Sequence, residues 1–107
     1  VDLYMCDQDL INDLELVKNI LHRIIEKVGA KLVSEGYKVF IPHGISGFAI
    51  ISESHISIHT WPEYSFVAID IFSCNKNIAD EICDYIQKEF KAERYNTNCY
   101  ERGIINN

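Results

Sequence analysis

The sequence lacks the features that mark membrane, secreted and nucleic-acid-binding proteins. No apolar run approaches the ~18 residues of a membrane-spanning helix, and the N-terminus has no basic segment followed by an apolar one, as a signal peptide has. Ten basic residues against sixteen acidic ones give a formal charge of −6, without the basic cluster that a phosphate backbone requires. We therefore expect a cytoplasmic protein that binds neither membranes nor nucleic acids.

The sequence also lacks the cysteine spacing of a zinc site. Cys6, Cys74, Cys83 and Cys99 form no CxxC pair, and in the cytoplasm they should be mostly reduced. Zinc would need clustered ligands, so we predict no metal site.

What is present is typical of one folded domain. The 107 residues are 48% hydrophobic and 24% charged, as in ordinary globular proteins. We assign residues 1–107 to a single domain, small enough for oligomerisation to help its stability. Because the sequence begins at Val1 rather than Met, we also expect a short preceding segment that completes the first strand.

The spacing of apolar residues predicts two helices and a series of strands. Apolar side chains recur every three or four residues from Leu10 to Val28, which predicts a helix capped by residues 7–9 and ended by Gly29. The same spacing predicts a second helix from about Ile78 to Phe90. Extended segments are predicted at about residues 1–6, 30–41, 47–52, 55–60, 65–73 and 92–100.

This order of elements predicts an α+β fold, an α/β sandwich with a largely antiparallel sheet and two helices on one face. The segments "GFAII" and "FVAIDIF" are apolar on both faces, whereas a sheet with one face in water should alternate. Two helices can cover only one face. We therefore predict that the sheets of two copies face each other in a symmetric homodimer.

Polar side chains crowd around the segment "ISESHISIHTW", where the sequence is otherwise strongly apolar. They are Ser46, Glu53, Ser54, His55, Ser57, His59, Glu63 and Cys74. Buried polar groups cost roughly 1 to 3 kcal/mol each when unpaired, so such a cluster has hydrogen-bond partners or a chemical task. From the residues alone, a hydrogen-bonded sheet edge and a reactive site both remain open.

Neither of two common nucleophile arrangements fits this cluster. There is no GxSxG turn, and Ser54 lies between Glu53 and His55 on one extended segment, where neighbouring side chains diverge. Cys74 in "DIFSCN" has apolar neighbours upstream, which favours the thiol over the thiolate. A neutral thiol is a poor nucleophile and an acceptable proton donor.

The stretch "ISESHISIHTWPEYSFVAIDIFSC", with "PHGISG", "VDLYMCD" and "ERG" in the same order, closely resembles the small self-processing S-adenosylmethionine decarboxylases of bacteria and archaea. The likeness covers nearly the whole chain. It implies a proenzyme that cuts itself between Glu53 and Ser54 into a β chain, residues 1–53, and an α chain, residues 54–107. It also implies that Ser54 becomes a pyruvoyl group, which forms a Schiff base with the substrate in place of pyridoxal phosphate, without a metal.

The resemblance implies roles for five further residues. His59 matches the processing histidine, and Ser46 matches the serine that assists it. Cys74 matches the proton donor of the decarboxylation step. Phe40 matches an aromatic platform for adenine, and Glu63 matches an acid that binds the ribose; a core residue and a turn residue are the alternatives for these two.

The resemblance therefore implies a pyruvoyl-dependent decarboxylase that converts S-adenosylmethionine into the aminopropyl donor for spermidine, active as a homodimer of processed protomers. One alternative is a family member that decarboxylates arginine or ornithine. Another is a non-catalytic regulatory homologue. The matched binding residues favour the nucleoside substrate, the matched processing residues argue against a non-catalytic protein, and His55 is assigned no role.

Overall fold

A computed structural model describes residues 1–73 and 78–105 of the chain. Its strands, in chain order, are β1 (Asp2–Tyr4), β2 (Leu32–Val39), β3 (Ile45–Ile51), β4 (Ser54–Trp61), β5 (Phe66–Phe72) and β6 (Arg94–Asn96). Within the described residues these strands form one sheet in the order β2-β3-β4-β5-β1-β6, and all neighbours are antiparallel. The helices are α1 (Gln8–Ile11), α2 (Leu14–Lys27) and α3 (Ile78–Glu89).

These elements confirm the predicted α+β class and its largely antiparallel sheet. The predicted central segments become β2 to β5, with ends that differ by one to a few residues. The last predicted strand is much shorter, because only Arg94–Asn96 pairs with β1. β1 itself lies between β5 and β6, so the first and last strands of the chain pair at one edge of the sheet.

The prediction of one continuous first helix is wrong, because the structure divides the segment in two. The side chain of Asp13 accepts a hydrogen bond from the N–H of Leu16 and begins α2 as its N-cap. Asp7 begins α1 in the same way, as the capping residues predicted. Gly29 follows α2 with a φ of 73°, the left-handed conformation in which many helices end.

The helices cover one face of the sheet, and the core lies between the two layers. Alternate strand residues such as Ile56 and Ile58 are fully buried there, together with Leu21 of α2 and Ile86 of α3. Burial of one such side chain stabilises the fold by roughly 1.5–3 kcal/mol. Across the described residues, no helix is both long and apolar enough to cross a membrane.

The opposite side of the sheet, called here the outer face, keeps large apolar side chains in contact with solvent. Phe48 and Ile50 of β3, Trp61 of β4 and Phe72 of β5 are between 39% and 45% exposed. Several large apolar side chains exposed on one face of a sheet favour an interaction site there. One protomer thus leaves uncovered the face that the sequence predicted to be covered.

A polar cluster fastens the edge strand β2 to helix α2. The Glu35 carboxylate accepts a 2.9 Å hydrogen bond from the Tyr37 hydroxyl and lies 2.6 Å from His22 Nε2 and 3.8 Å from Lys18 Nζ. Burial acts to raise the pKa of Glu35, but the hydrogen bonds from His22 and Tyr37 outweigh it, and the pKa lies below its ordinary value. The charged form of Glu35 therefore contributes to stability.

Candidate active site

The bond between Glu53 and Ser54 lies in a tight hairpin between β3 and β4. Ile51 and Ser54 face each other at the end of the ladder, so the loop consists of Ser52 and Glu53. Ser52 has a φ of 54°, a left-handed conformation that glycine or asparagine adopts more readily, and its N–H donates to the Lys31 carbonyl at 3.1 Å. A non-glycine residue held in this way stores strain of order 1–3 kcal/mol, next to the bond matched to self-cleavage.

A pocket of about 290 Å³ lies beside this hairpin. Its polar wall includes Ser52, Glu53, Ser54 and Ser73, and residues 28–30 close its other side. Ser54 is half-buried, whereas Glu53 is exposed. The pocket gives a small ligand room to reach position 54.

Ser46 and His59 form a second polar pair, on the outer face. The two residues are opposite each other on β3 and β4, and Ser46 Oγ lies 2.7 Å from His59 Nδ1. The hydroxyl can donate to this nitrogen or accept from it, so the contact is compatible with either neutral tautomer of the ring. The Trp61 ring lies beside the imidazole, with the ring centroids 6.1 Å apart. The structure thus brings together the two residues matched to the processing step.

The same strand separates His59 from Ser54. Both residues belong to β4, and five steps of roughly 3.3 Å place their Cα atoms about 16 Å apart. Because the positions differ by an odd number, the two side chains point to opposite faces of the sheet. Within one protomer, the imidazole therefore cannot reach the bond that precedes Ser54.

The residues matched to substrate binding also lie away from Ser54. Phe40 follows β2 and is 46% exposed, and its N–H donates to the Gly44 carbonyl at 2.8 Å. Glu63 lies in a short 3-10 turn, Pro62–Tyr64, which follows β4. Its carboxylate pairs with Nε2 of His43 from the loop between β2 and β3. His43 was not among the predicted site residues, since its position in "PHGISG" gives no sign of this contact.

The residues matched to site roles thus lie at the two ends of the β3–β4 hairpin. We call the end with Glu53 and Ser54 the cleavage end, and the end with Ser46, His59 and Glu63 the binding end. The ladder from Ile51–Ser54 to Ile45–Thr60 separates them. Within one protomer the two groups of matched residues are therefore kept apart.

Cys74 falls outside the described residues, although Ser73 before it lines the pocket at the cleavage end. Cys6 and Cys83 are buried, and burial raises the pKa of the Cys6 thiol to about 11, which keeps it protonated. In residues 1–73 and 78–105, no three histidine, cysteine or acidic side chains are grouped so that they could hold a metal ion.

Comparison with known proteins agrees with the resemblance seen in the motifs. A family model described as S-adenosylmethionine decarboxylase matches residues 1–103. An S-adenosylmethionine decarboxylase proenzyme of Thermodesulfovibrio yellowstonii is 42% identical over 106 residues, covering 98% of this chain and 78% of that protein. One from Caldicellulosiruptor saccharolyticus is 38% identical over 105 residues, covering 97% of this chain and 85% of that protein.

A solved structure shares the fold. The crystal structure of the adenosylmethionine decarboxylase from Aquifex aeolicus superposes with a TM-score of 0.88 at 33% sequence identity. The match covers 98% of this chain and 88% of that one.

Proposed function

The chain belongs to the S-adenosylmethionine decarboxylase family, and we propose that it cleaves itself between Glu53 and Ser54 and then decarboxylates S-adenosylmethionine. The product would be the aminopropyl donor for spermidine. The observation that carries the proposal is the left-handed Ser52, which places strain beside that bond in a two-residue hairpin open to a pocket.

The proposed cleavage uses the side chain of Ser54. Its Oγ attacks the carbonyl carbon of Glu53, the C–N bond breaks, and the amide becomes an ester with a free amine on residue 54. Removal of the Ser54 α-proton then expels Glu53 as a carboxylate and leaves dehydroalanine. Hydrolysis releases ammonia and leaves a pyruvoyl group at the start of the α chain, residues 54–107, while residues 1–53 form the β chain.

A base must take the α-proton, and His59 is the residue matched to that task. Since His59 lies about 16 Å from the Ser54 of its own protomer, it would act on a second copy. The uncovered apolar outer face supports a homodimer in which two sheets pack face to face. A two-fold axis that crosses the strands would bring the cleavage end of each protomer against the binding end of the other, with Ser46 and His59 beside the strained bond.

A pyruvoyl group at position 54 would supply a ketone, the electron-withdrawing group that decarboxylation of an amino acid requires. The site fits this group, because residue 54 lines a pocket whose walls include the apolar Val28, Ile56 and Ile71. Cys74 would hold the proton that returns to the substrate carbon, a role that the resemblance alone supports.

The binding end offers contacts for the rest of S-adenosylmethionine. The half-exposed ring of Phe40 can stack on adenine, and aromatic faces attract the sulfonium cation by roughly 0.5–2 kcal/mol. The carboxylate of Glu63 can accept hydrogen bonds from the ribose hydroxyls, while His43 holds it in place. The acidic chain, with a charge of −6, further favours a cationic substrate.

Arginine or ornithine as substrate is the alternative within the family. Neither molecule has an adenine to stack on Phe40 or a ribose to bind Glu63. Carbon dioxide release from each of the three amino acids, measured with the same protein, would identify the substrate. A non-catalytic homologue would release none from any of them.

Intact-mass measurement tests the cleavage. We expect two fragments divided after Glu53, the second with a serine converted to pyruvoyl and therefore blocked to N-terminal sequencing. Ser54→Ala should give one uncut and inactive chain. An unaltered chain that remains whole after prolonged incubation would contradict the proposal.

A further inference from the structure

Three side chains beside the cleavage end form a stack that the proposed reaction does not use. His55 and Phe72 are opposite each other on β4 and β5, and their rings are stacked with centroids 5.4 Å apart and planes within 6° of parallel. The guanidinium carbon of Arg102 lies 5.9 Å from the centre of the Phe72 ring. Arg102 belongs to the segment after β6, distant in sequence from the other two.

We propose that this stack positions residue 54 after the backbone has been cut, an inference that rests on the proposed function. His55, Phe72 and Arg102 would then be positioning residues for decarboxylation. They act through the backbone of residue 55 and not through contact with the substrate.

The need for such a device follows from the cleavage itself. In the uncut chain, residue 54 is tethered on one side by the hairpin loop and on the other by β4. After cleavage it becomes the first residue of the α chain, and its one covalent bond to the rest of the protein is the bond to His55. Chain ends fray unless they are tied down, and a displacement of about 1 Å at a reacting atom can cost about 10²-fold in rate. A side chain fixed at position 55 limits that fraying.

The stack is suited to this task because it joins three separate segments. Phe72 is fixed in the ladder of β5, so its ring gives the imidazole of His55 a rigid surface. Guanidinium groups stack on aromatic faces, which allows Arg102 to cover the same ring. In the same C-terminal segment, the side chains of Tyr100 and Ile104 are 81% and 71% exposed. The contact of Arg102 is therefore local rather than part of a packed tail.

The test compares Phe72→Leu and Arg102→Gln with the unaltered chain, each studied as full-length protein. We expect self-cleavage within about twofold of the unaltered rate, because both neighbours still hold residue 54 at that stage. After cleavage, we expect kcat to fall about twofold to tenfold, with a smaller change in KM and fewer turnovers before inactivation. Arg102→Lys keeps the cation and should recover part of the loss, and Tyr100→Ala serves as the control on the same segment.

A second measurement does not depend on turnover. Amide hydrogen exchange of the peptide that begins at His55 should become faster in the cleaved Phe72→Leu and Arg102→Gln proteins, and remain unchanged in their uncut counterparts carrying Ser54→Ala. A structural loss throughout the fold would speed exchange in both forms, whereas loss of an anchor at the new chain end affects only the cleaved form.

Unchanged kcat and unchanged exchange in the two variants would overturn the inference. Slow self-cleavage in Arg102→Gln would also overturn it, because the stack would then be needed before the cut, whereas Phe72 also lies on the outer face that the proposed dimer buries. If Phe72→Leu fails to fold, Arg102→Gln alone tests the inference, because Arg102 is exposed and lies outside the core. The unaltered chain separates the two ideas: if it stays whole or releases no carbon dioxide from S-adenosylmethionine, the proposed function itself fails.

Discussion

Self-cleavage should require two protomers, because His59 cannot reach the Ser54 on its own strand. The separation is about 16 Å along β4, on opposite faces, whereas proton transfer needs a contact of about 3 Å. His59→Ala removes the base, so its homodimers should cleave about 10²–10⁴ times more slowly. Ser54→Ala removes the nucleophile, so its homodimers should not cleave at all.

Mixed dimers of these two variants should cleave. A His59→Ala chain keeps its own Ser54 and receives His59 from a Ser54→Ala partner. With equal amounts and random pairing, about half of the His59→Ala chains acquire such a partner and should be cut at the normal rate. Co-expression with different affinity tags, followed by intact-mass measurement of the His59→Ala chain, gives the cut fraction.

The control replaces the Ser54→Ala partner by a chain that carries both substitutions and therefore lacks His59. His59→Ala chains in these dimers should remain whole. If they also remain whole beside Ser54→Ala partners, under conditions where the unaltered dimer cleaves, the reasoning from strand register is refuted.

Cys74→Ala should cleave itself at the normal rate but release carbon dioxide about 10²–10⁴ times more slowly, because Cys74 is proposed to donate a proton only in the decarboxylation step. Undiminished carbon dioxide release in a direct assay would show that Cys74 is not that donor. His43→Gln should raise KM about twofold to fivefold with little change in kcat, because the partly exposed contact of His43 with the Glu63 carboxylate contributes about 0.2–1 kcal/mol to holding that side chain. Steady-state kinetics with an unchanged KM would show that this contact does not hold Glu63 for substrate binding. Glu35→Gln should lower the free energy of unfolding by about 1 kcal/mol at pH 7. Because the folded pKa of Glu35 lies below its ordinary 4.5, this stabilisation is fully present above about pH 4.5 and is lost as the pH falls through the folded pKa. Urea unfolding of both proteins at pH 7 and pH 3 should show the difference shrink, and a constant difference would contradict the assignment.

Local patterns were sufficient to predict most elements of the fold. Helical spacing identified α2 and α3, and the runs that are apolar on both faces predicted a sheet whose outer face needs a cover. The break before Asp13 was missed because the apolar stripe continues across it, and only the capping hydrogen bond to Leu16 reveals the new start. The position of β1 could not be predicted from local sequence patterns either, because its pairing joins Leu3 to the distant Val67 on one side and Tyr95 on the other.

Some residues of the candidate site could likewise be predicted from the sequence, whereas contacts between separate segments could not. Glu53 and Ser54 are neighbours in sequence, so a motif can name them. The alternation of apolar and polar residues predicted the extended segment 55–60 that contains His59, but not that Ser54 begins the same strand directly after a two-residue loop. Contacts such as that of His43 with Glu63 join separate loops and have no sequence signal.

The outer face carries both the apolar side chains proposed to form the dimer contact and the histidine proposed as the base. It carries the Ser46–His59 pair and the apolar Phe48 and Ile50 on the same two strands. A second sheet that buries those apolar groups also removes water from the imidazole, and electrostatic interactions strengthen when water is excluded. Dimerisation would thus place His59 beside the bond to be cut and remove water from its imidazole at the same time. An unassembled chain would keep its backbone whole, because its own His59 cannot reach the strained hairpin.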